Sequence, residues 1–384
     1  MDQSRPFGPA SFSHRQHVAF WMLAVLMLMP GSALAEDRVL NSETGEIKIE
    51  TVAADLDRPW GLAFLPDGRM LVTEKRGRLR IVSKDGTKSE PLAGVPKVDA
   101  GGQGGLMDVV LDPKFDENQL IYLSYAESGE GGNGTAVARG KLGESGLDDV
   151  QVIFRQHPKV KGDLHYGSRL VFSPDGKLFI TLGDRFKFDP AQDLGSHIGK
   201  VVRINSDGSV PEDNPFVTQT DALPEIWSYG HRNAQGAAIH PETGKLWENE
   251  FGPLGGDELN IPEAGKNYGW PMVSWGKNYN GIDIPDPPTH PEFADAIYHW
   301  TPVISPSGMT FYTGDAIPAW KGDLLIGGLS SQALVRLTLD GEKVSAEERL
   351  PLGGRIRDVK QGPDGAVYAI DESNDQILRL TLKQ

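Results

Sequence analysis

Ser173–Arg185 reads SPDGKLFITLGDR. Pro-Asp-Gly makes a tight turn, because proline presets one φ and glycine accepts a positive one. A short apolar run follows, with the composition of a strand. The same unit returns along the chain as LPDGRMLVTEKRGRLRIV (Leu65–Val82), DPKFDENQLIYLSYAE (Asp112–Glu127), HPETGKLWENEFG (His240–Gly252) and GPDGAVYAIDESNDQILRL (Gly362–Leu380). A degenerate copy, WKGDLLIGGLSSQALVRL, occupies Trp320–Leu337. About six recurring antiparallel units predict an all-β fold, a six-bladed β-propeller of four-stranded antiparallel blades, whose ring hides its sheet edges. A pair of β-sandwiches is the rival, and the regular return of the turn speaks against it. At roughly 58 residues per blade the repeat exceeds the ~40–50 of compact propellers. The surplus is expected as loops, in the gaps at 128–172, 186–239 and 253–319, where a site would be built.

The N-terminus has a different character. Arg15 and two histidines precede the apolar run Val18–Met29, then Pro30-Gly31 and the small-residue site Ala33-Leu34-Ala35. That order is a secretory signal, and the run is too short to span a bilayer comfortably. Residues 1–35 are therefore expected to be removed, leaving 36–384 as one propeller domain in the periplasm or outside the cell, without stable membrane insertion. The whole chain carries a net charge of −15, which argues against nucleic acid as a partner. It has no cysteine, so stability rests on a core and on any bound metal.

Chemistry-bearing residues crowd Pro224–Pro271, PEIWSYGHRNAQGAAIHPETGKLWENEFGPLGGDELNIPEAGKNYGWP. Arg232 offers a planar fork for a carboxylate, and Asn233 both donates and accepts. In Glu250–Tyr268, Gly252 and Pro253 can leave main-chain carbonyls free, and Asp257 and Glu258 add carboxylates. Such hard oxygens suit Ca2+. No His/Cys cluster has zinc spacing. His165, in GDLHYGSRLVFSPDG, is a candidate base beside a tight Tyr166-Gly167 turn. Arg355 and Arg357 lie two apart in GGRIRDV, on one strand face, where two cations repel unless an anion lies between them. The Gly101–Gly105 loop, GGQGG, lacks the strand and helix of a nucleotide fingerprint. No nucleophile elbow is present.

Together these segments resemble the soluble quinoprotein sugar dehydrogenases, the glucose/sorbosone dehydrogenase family, and within it the aldose sugar dehydrogenases. The likeness runs from about Arg58 to Leu380. It rests on RPWGLAFLPDG (Arg58–Gly68), GGQGGLMDV (Gly101–Val109), HYGSRLVFSPDG (His165–Gly176), SYGHRN (Ser228–Asn233), EFGPLGGDELN (Glu250–Asn260), NYGWP (Asn267–Pro271) and RIRDV (Arg355–Val359). The resemblance implies a propeller holding pyrroloquinoline quinone (PQQ) and Ca2+. It implies His165 as proton acceptor and Gln103, Arg232, Asn233, Arg355 and Arg357 as cofactor ligands. Gly252 and Pro253 match the carbonyls that hold Ca2+ on the cofactor, and Glu258 and Tyr268 match a second, structural Ca2+ site. The expected substrate is an aldose, with an external electron acceptor such as a quinone, cytochrome or dye. One departure is Ser330, in GGLSSQALVRL, where the glucose dehydrogenase branch has a lysine against the cofactor. A smaller one is Ser168, where the family usually has glycine. Two other readings remain open: a Ca2+-dependent propeller lactonase or hydrolase, and a non-catalytic propeller that binds glycans or a protein.

Overall fold

Each recurring turn becomes the first hairpin of a sheet. The computed structural model describes residues 38–383. The expected secretory leader, with its cleavage after Ala35, lies outside the described residues. Six antiparallel sheets follow one another along the chain. Blade 1 is Pro59–Phe64, Met70–Glu74 and Arg78–Val82; blade 2 is Leu106–Leu111, Leu120–Gly129, Gly132–Leu142 and Leu147–Arg155. Blade 3 is Leu170–Phe172, Lys177–Thr181, Lys200–Asn205 and Ile226–Tyr229; blade 4 is Ala234–Ile239, Leu246–Glu250, Asp257–Asn260 and Tyr298–Trp300. Blade 5 is Pro306–Phe311, Leu324–Gly328, Ala333–Asp340 and Lys343–Pro351. Blade 6 joins Ile356–Gln361, Val367–Asp371 and Gln376–Leu382 to two N-terminal strands, Gly45–Ala53 and Arg38–Ser42. The pairing runs from Ile47↔Leu382 to Ala53↔Ile377 and closes the ring with strands from opposite ends of the sequence. This is the six-bladed β-propeller that the repeats predict.

Two blades depart from four strands for visible reasons. Blade 6 gains its fifth from Arg38–Ser42. Blade 1 has three regular strands, and the segment after them follows Arg78–Val82 irregularly: Ser89 N–H donates to Ile81 O (2.8 Å) and Leu92 N–H to Leu79 O (2.8 Å). Pro91, between them, has no N–H to give, so the ladder cannot run on. The gap at 128–172, expected as loop, is instead largely the long paired strands of blade 2, Gly132–Leu142 and Leu147–Arg155. Its long hairpin reads as glycine-rich polar sequence, which hid the strand. No described helix is long and apolar enough to cross a membrane.

Apolar side chains fill the space between neighbouring sheets. Leu71 and Leu79 of blade 1, for instance, meet Leu106, Val109, Ile121 and Leu123 of blade 2. The inner strands themselves abut in chain order around the axis, and the last meets the first. In five of the six blades the inner strand is bulged against its partner, among them Leu106/Val109 and Ile356/Asp358. Bulges re-aim side chains. Asp108 and Asp358 sit at two of them, and each accepts a main-chain N–H from the following inner strand: Leu170 to Asp108 Oδ2 (2.8 Å), Leu62 to Asp358 Oδ2 (3.1 Å). Between the two carboxylates lies Arg169, whose Nη1 is 2.9 Å from Asp108 Oδ1 and 3.1 Å from Asp358 Oδ1. All three side chains are fully buried. Gly308 passes so close that a Cβ there would stand 1.9 Å from Asp358 Oδ1.

Burial pushes the Arg169 guanidinium toward losing its proton, but Asp108 and Asp358 outweigh it and hold the charge. Removing one member of such a group strands the others. Arg169→Met is therefore expected to destabilise the fold by about 3–5 kcal/mol in chemical denaturation. The stranded carboxylates would titrate above their unfolded values. Their stabilising protonation is then lost as pH rises, so the deficit should grow from pH 4 toward neutrality. A deficit that is small, or that shrinks with rising pH, would remove this ion group from its structural role.

Candidate active site

At one mouth of the ring lies a cavity of about 300 Å³ lined by Arg58, Trp60, Lys75, Gln103, Met107, Tyr166, Gly167, Gln235, Phe251, Leu329, Arg355, Arg357, Glu372 and Ser373. Four cations face a single carboxylate. Glu372 takes Arg355 Nε (2.7 Å) on one oxygen and Arg357 Nε (2.7 Å) on the other. Burial pushes its carboxyl up, yet the arginines, Arg357 foremost, hold it down at about 2. The anion that relieves the Arg355–Arg357 repulsion is thus the protein's own Glu372. The nearer candidates in sequence are spent elsewhere: Asp358 on Arg169, and Asp371 on the main-chain N–H groups of Ser373 and Asn374. Arg357 Nη1 also donates to Gln235 Oε1 (3.0 Å). Among the described residues no acceptor meets Nη1 or Nη2 of Arg355, or Nη2 of Arg357.

His165 adjoins this cavity through its neighbours Tyr166 and Gly167. Its main-chain N–H donates to Gln103 Oε1 (2.7 Å), and it holds φ at +52°. Gly183 makes room for that turn: a Cβ there would lie 2.2 Å from His165 O. Asp184, fully buried, sits 2.6 Å from His165 Nδ1 and accepts Trp270 Nε1 on its other oxygen (2.8 Å). The pairing assigns the proton to Nδ1 and leaves Nε2, with no partner among the described residues, able to accept one. Burial lowers the His165 pKa, the Asp184 hydrogen bond opposes this, and the Arg232 charge lowers it further. The net shift is downward, so the imidazole is neutral at pH 7. Phe186 stands edge-on to His165 at 5.3 Å, and the exposed Tyr279 lies 6.1 Å beyond. These rings rim the site. Phe186, Arg185 and Phe188 all have positive φ, rare for bulky residues.

The SYGHRN segment turns from blade 3 into blade 4, and Glu250 clamps it. One Glu250 oxygen receives the N–H groups of Arg232 and Asn233; the other receives His231 Nδ1 (3.2 Å). So fixed, Arg232 bonds Phe251 O (2.9 Å) and Tyr279 OH (2.9 Å), and Asn233 Oδ1 accepts the Gly167 N–H (3.1 Å). Arg232 Nε and Asn233 Nδ2 are buried donors without partners. Orphan donors of this kind are rare unless a ligand completes them.

A second cavity, about 10 Å³, shares Phe251 with the first and is lined by Arg232, Glu250, Gly252, Glu258, Tyr268 and their neighbours. It has room for about one small ion or water. Burial raises the pKa of Glu248 and Glu258 well above the carboxylate range, and Glu250 beside them adds to the shift. Main-chain carbonyls of Gly252, Pro253 and Tyr268 accept no hydrogen bond among the described residues. The Tyr268 hydroxyl is engaged with Ile261 O (2.5 Å), so any ligand from Tyr268 is its carbonyl. Asp257 is not a free ligand: one oxygen holds Gly252 N–H (2.9 Å), the other Ile304 and Ser305 N–H (2.8 and 2.7 Å). It fixes the Gly252 turn instead. Ser330 is exposed, with Oγ on Val303 O (3.3 Å), and does not line the cavity.

A family model described as Glucose / Sorbosone dehydrogenase matches residues 56–380. The chain belongs to that family. It is 45% identical over 344 residues to the aldose sugar dehydrogenase YliI of Escherichia coli, covering 87% of this chain and 93% of that protein. It is 28% identical to quinoprotein glucose dehydrogenase B of Acinetobacter calcoaceticus, with 91% of each covered. The PQQ-bound aldose sugar dehydrogenase of Streptomyces coelicolor superposes with a TM-score of 0.72 at 29% identity, covering 91% of this chain and 98% of that one.

Within the family frame, the sequence reading missed Asp184, Glu250, Glu372, Gln235, Arg58 and Lys75. Asp184 stands in the very GDR that ends the decisive repeat, where it passes for a turn residue. Ser168, at φ +85°, occupies a conformation natural to glycine, the residue that the resemblance would put there.

Asp184 raises the His165 pKa. Asp184→Asn should lower it further, read from the pH dependence of the imidazole resonances in the apoprotein. An unchanged titration would mean that the carboxylate does not hold the ring.

Proposed function

We propose that this protein oxidises aldose sugars at C1 to the lactone, using PQQ and Ca2+, with His165 as general base. The observation that carries the reading is a cavity of four cations and one carboxylate beside orphan donors at Arg232 Nε and Asn233 Nδ2. Such a site asks for a multiply anionic ligand. PQQ, a tricarboxylate ortho-quinone, is one, and when bound it supplies the hydride acceptor, polarised by Ca2+. Arg232, Asn233, Arg355, Arg357 and Gln103 would hold it. Carbonyls of Gly252 and Pro253 would take the Ca2+ at the cofactor. Glu258 and the Tyr268 carbonyl, at the small acidic cavity, would take a structural Ca2+.

The chain's own work is binding, orientation and proton transfer. His165 Nε2 takes the proton of the C1 hydroxyl as hydride leaves that carbon, and the sugar departs as lactone. Asp184 keeps Nδ1–H aimed at itself and steadies the imidazolium that forms. Phe186 and Tyr279 give the sugar an apolar wall, and Trp60, Met107 and Leu329 limit water in the cavity. The leader supports export to the periplasm or beyond, and an external acceptor reoxidises the enzyme.

Apoprotein should be inactive and gain dye-reducing activity on aldoses only with both PQQ and Ca2+. Absence of activity on a panel of aldoses would overturn the reading, and lactone hydrolysis without PQQ would replace it. In the loaded enzyme His165→Gln should lose ~10²–10⁴-fold in kcat while still binding PQQ. Because the His165 pKa is depressed, the wild-type rate should rise with pH through a value below the usual ~6.5 and stay level above it.

A further inference from the structure

The wall from blade 1 carries charge that these roles leave without a purpose. Arg58 and Lys75 face each other where the first hairpin of blade 1 opens toward the cavity: Lys75 N–H donates to Arg58 O (3.0 Å), just beyond the Pro59↔Glu74 pair. Both side chains line the cavity. The Arg58 guanidinium has no acceptor and no ion-pair partner among the described residues. Lys75 Nζ meets only the neutral carbonyl of Gly102. Glu372, the carboxylate in the cavity, is already shared by Arg355 and Arg357. Burial, and then the Arg357 charge, push the Lys75 pKa down by more than Glu372 and Asp163 raise it, so the ammonium is only partly compensated. In a chain with 53 acidic residues against 38 lysines and arginines, a wall of cations without ion-pair partners is not a by-product of composition.

We propose that Arg58 and Lys75 form a carboxylate-binding wall for the anionic quinone cofactor, supplying from blade 1 the cation that Ser330 does not. The proposal rests on the quinone reading above. Lys75 is held for that task. The Gly101–Gly105 loop folds over it: Leu106 N–H donates to Lys75 O (2.9 Å), and a Cβ on Gly105 would lie 2.1 Å from that oxygen. The same loop carries Gln103, which holds the His165 main chain. Charge at blade 1 and base at blade 3 are thus set by one short segment.

The test is an equilibrium titration of apoprotein with PQQ at saturating Ca2+, followed by ligand absorbance at several salt concentrations. Lys75→Met should raise Kd about 10- to 100-fold and flatten its salt dependence. Lys75→Arg should stay near wild type, which separates lost charge from a disturbed loop. Arg58→Gln, on the exposed side of the wall, should weaken binding in the same direction and carries the test if Lys75→Met does not fold. Unchanged Kd and salt dependence in Lys75→Met, or in Arg58→Gln where the former does not fold, would overturn the proposal. So would an unchanged Kd with a raised KM for uronic acids alone, because the wall would then serve an acidic sugar. Wild-type protein that binds no PQQ would instead overturn the quinone reading itself.

Discussion

Arg169 between Asp108 and Asp358 is the contact on which the rest is built. Three inner strands, from blades 2, 3 and 6, meet at one guanidinium, and each carboxylate also ties down the N–H of a following strand. Three buried charges are tolerable only as a complete set with fixed geometry. That requirement fixes the bulges in the inner strands and the glycine that passes beside Asp358. It also sets the phase of His165, four residues before Arg169, and of Arg357, one before Asp358. The site is therefore an extension of the hub. Its residues stand on the same turns that deliver the buried ions.

Charge is sorted around the mouth. Cations gather where blades 6 and 1 meet and again at Arg232. The carboxylates Glu248, Glu250 and Glu258 are packed behind Arg232 on one face of blade 4, where Glu248 faces Asn260 and Glu250 faces Glu258 across neighbouring strands. A tricarboxylate beside the cations and a divalent ion beside the carboxylates would neutralise both groups together. The separation lets one loop, Glu250–Glu258, serve both. Glu250, Gly252 and Glu258 line the small acidic cavity, and Phe251 among them reaches both cavities.

Much of this was legible in the sequence because it is local. A turn followed by a strand needs no partner to be recognised, so six copies gave the blade number. The HRN triplet and the RIR pair announce themselves by chemistry packed into a few residues. What could not be read is what folding brings from afar. Glu372 looks like one of many surface acids, and its role comes from two arginines fifteen and seventeen residues away. Asp184 reads as a turn residue after a strand, and only the positive-φ turn at His165 swings the imidazole onto it. Asp257 looked like a metal ligand, because nothing local reveals that the distant N–H groups of Ile304 and Ser305 claim one oxygen while Gly252 N–H takes the other. The fourth edge of blade 1 was blurred by a single proline.

The pairing of Gly45–Ala53 with Gln376–Leu382 carries a consequence for how the ring comes into being. An open arc of blades has two raw edges, and here they are sealed by segments more than three hundred residues apart. Joining ends over such a span carries a loop-closure entropy of about 5 kcal/mol, recovered only when the last strand is in place. A chain threaded outward from its N-terminus would hold one edge of its N-terminal hairpin, that of Gly45–Ala53, unpaired until the final residues arrive. Closure would then be a late, all-or-nothing event, and a partly emerged chain would present exposed strand edges to its surroundings.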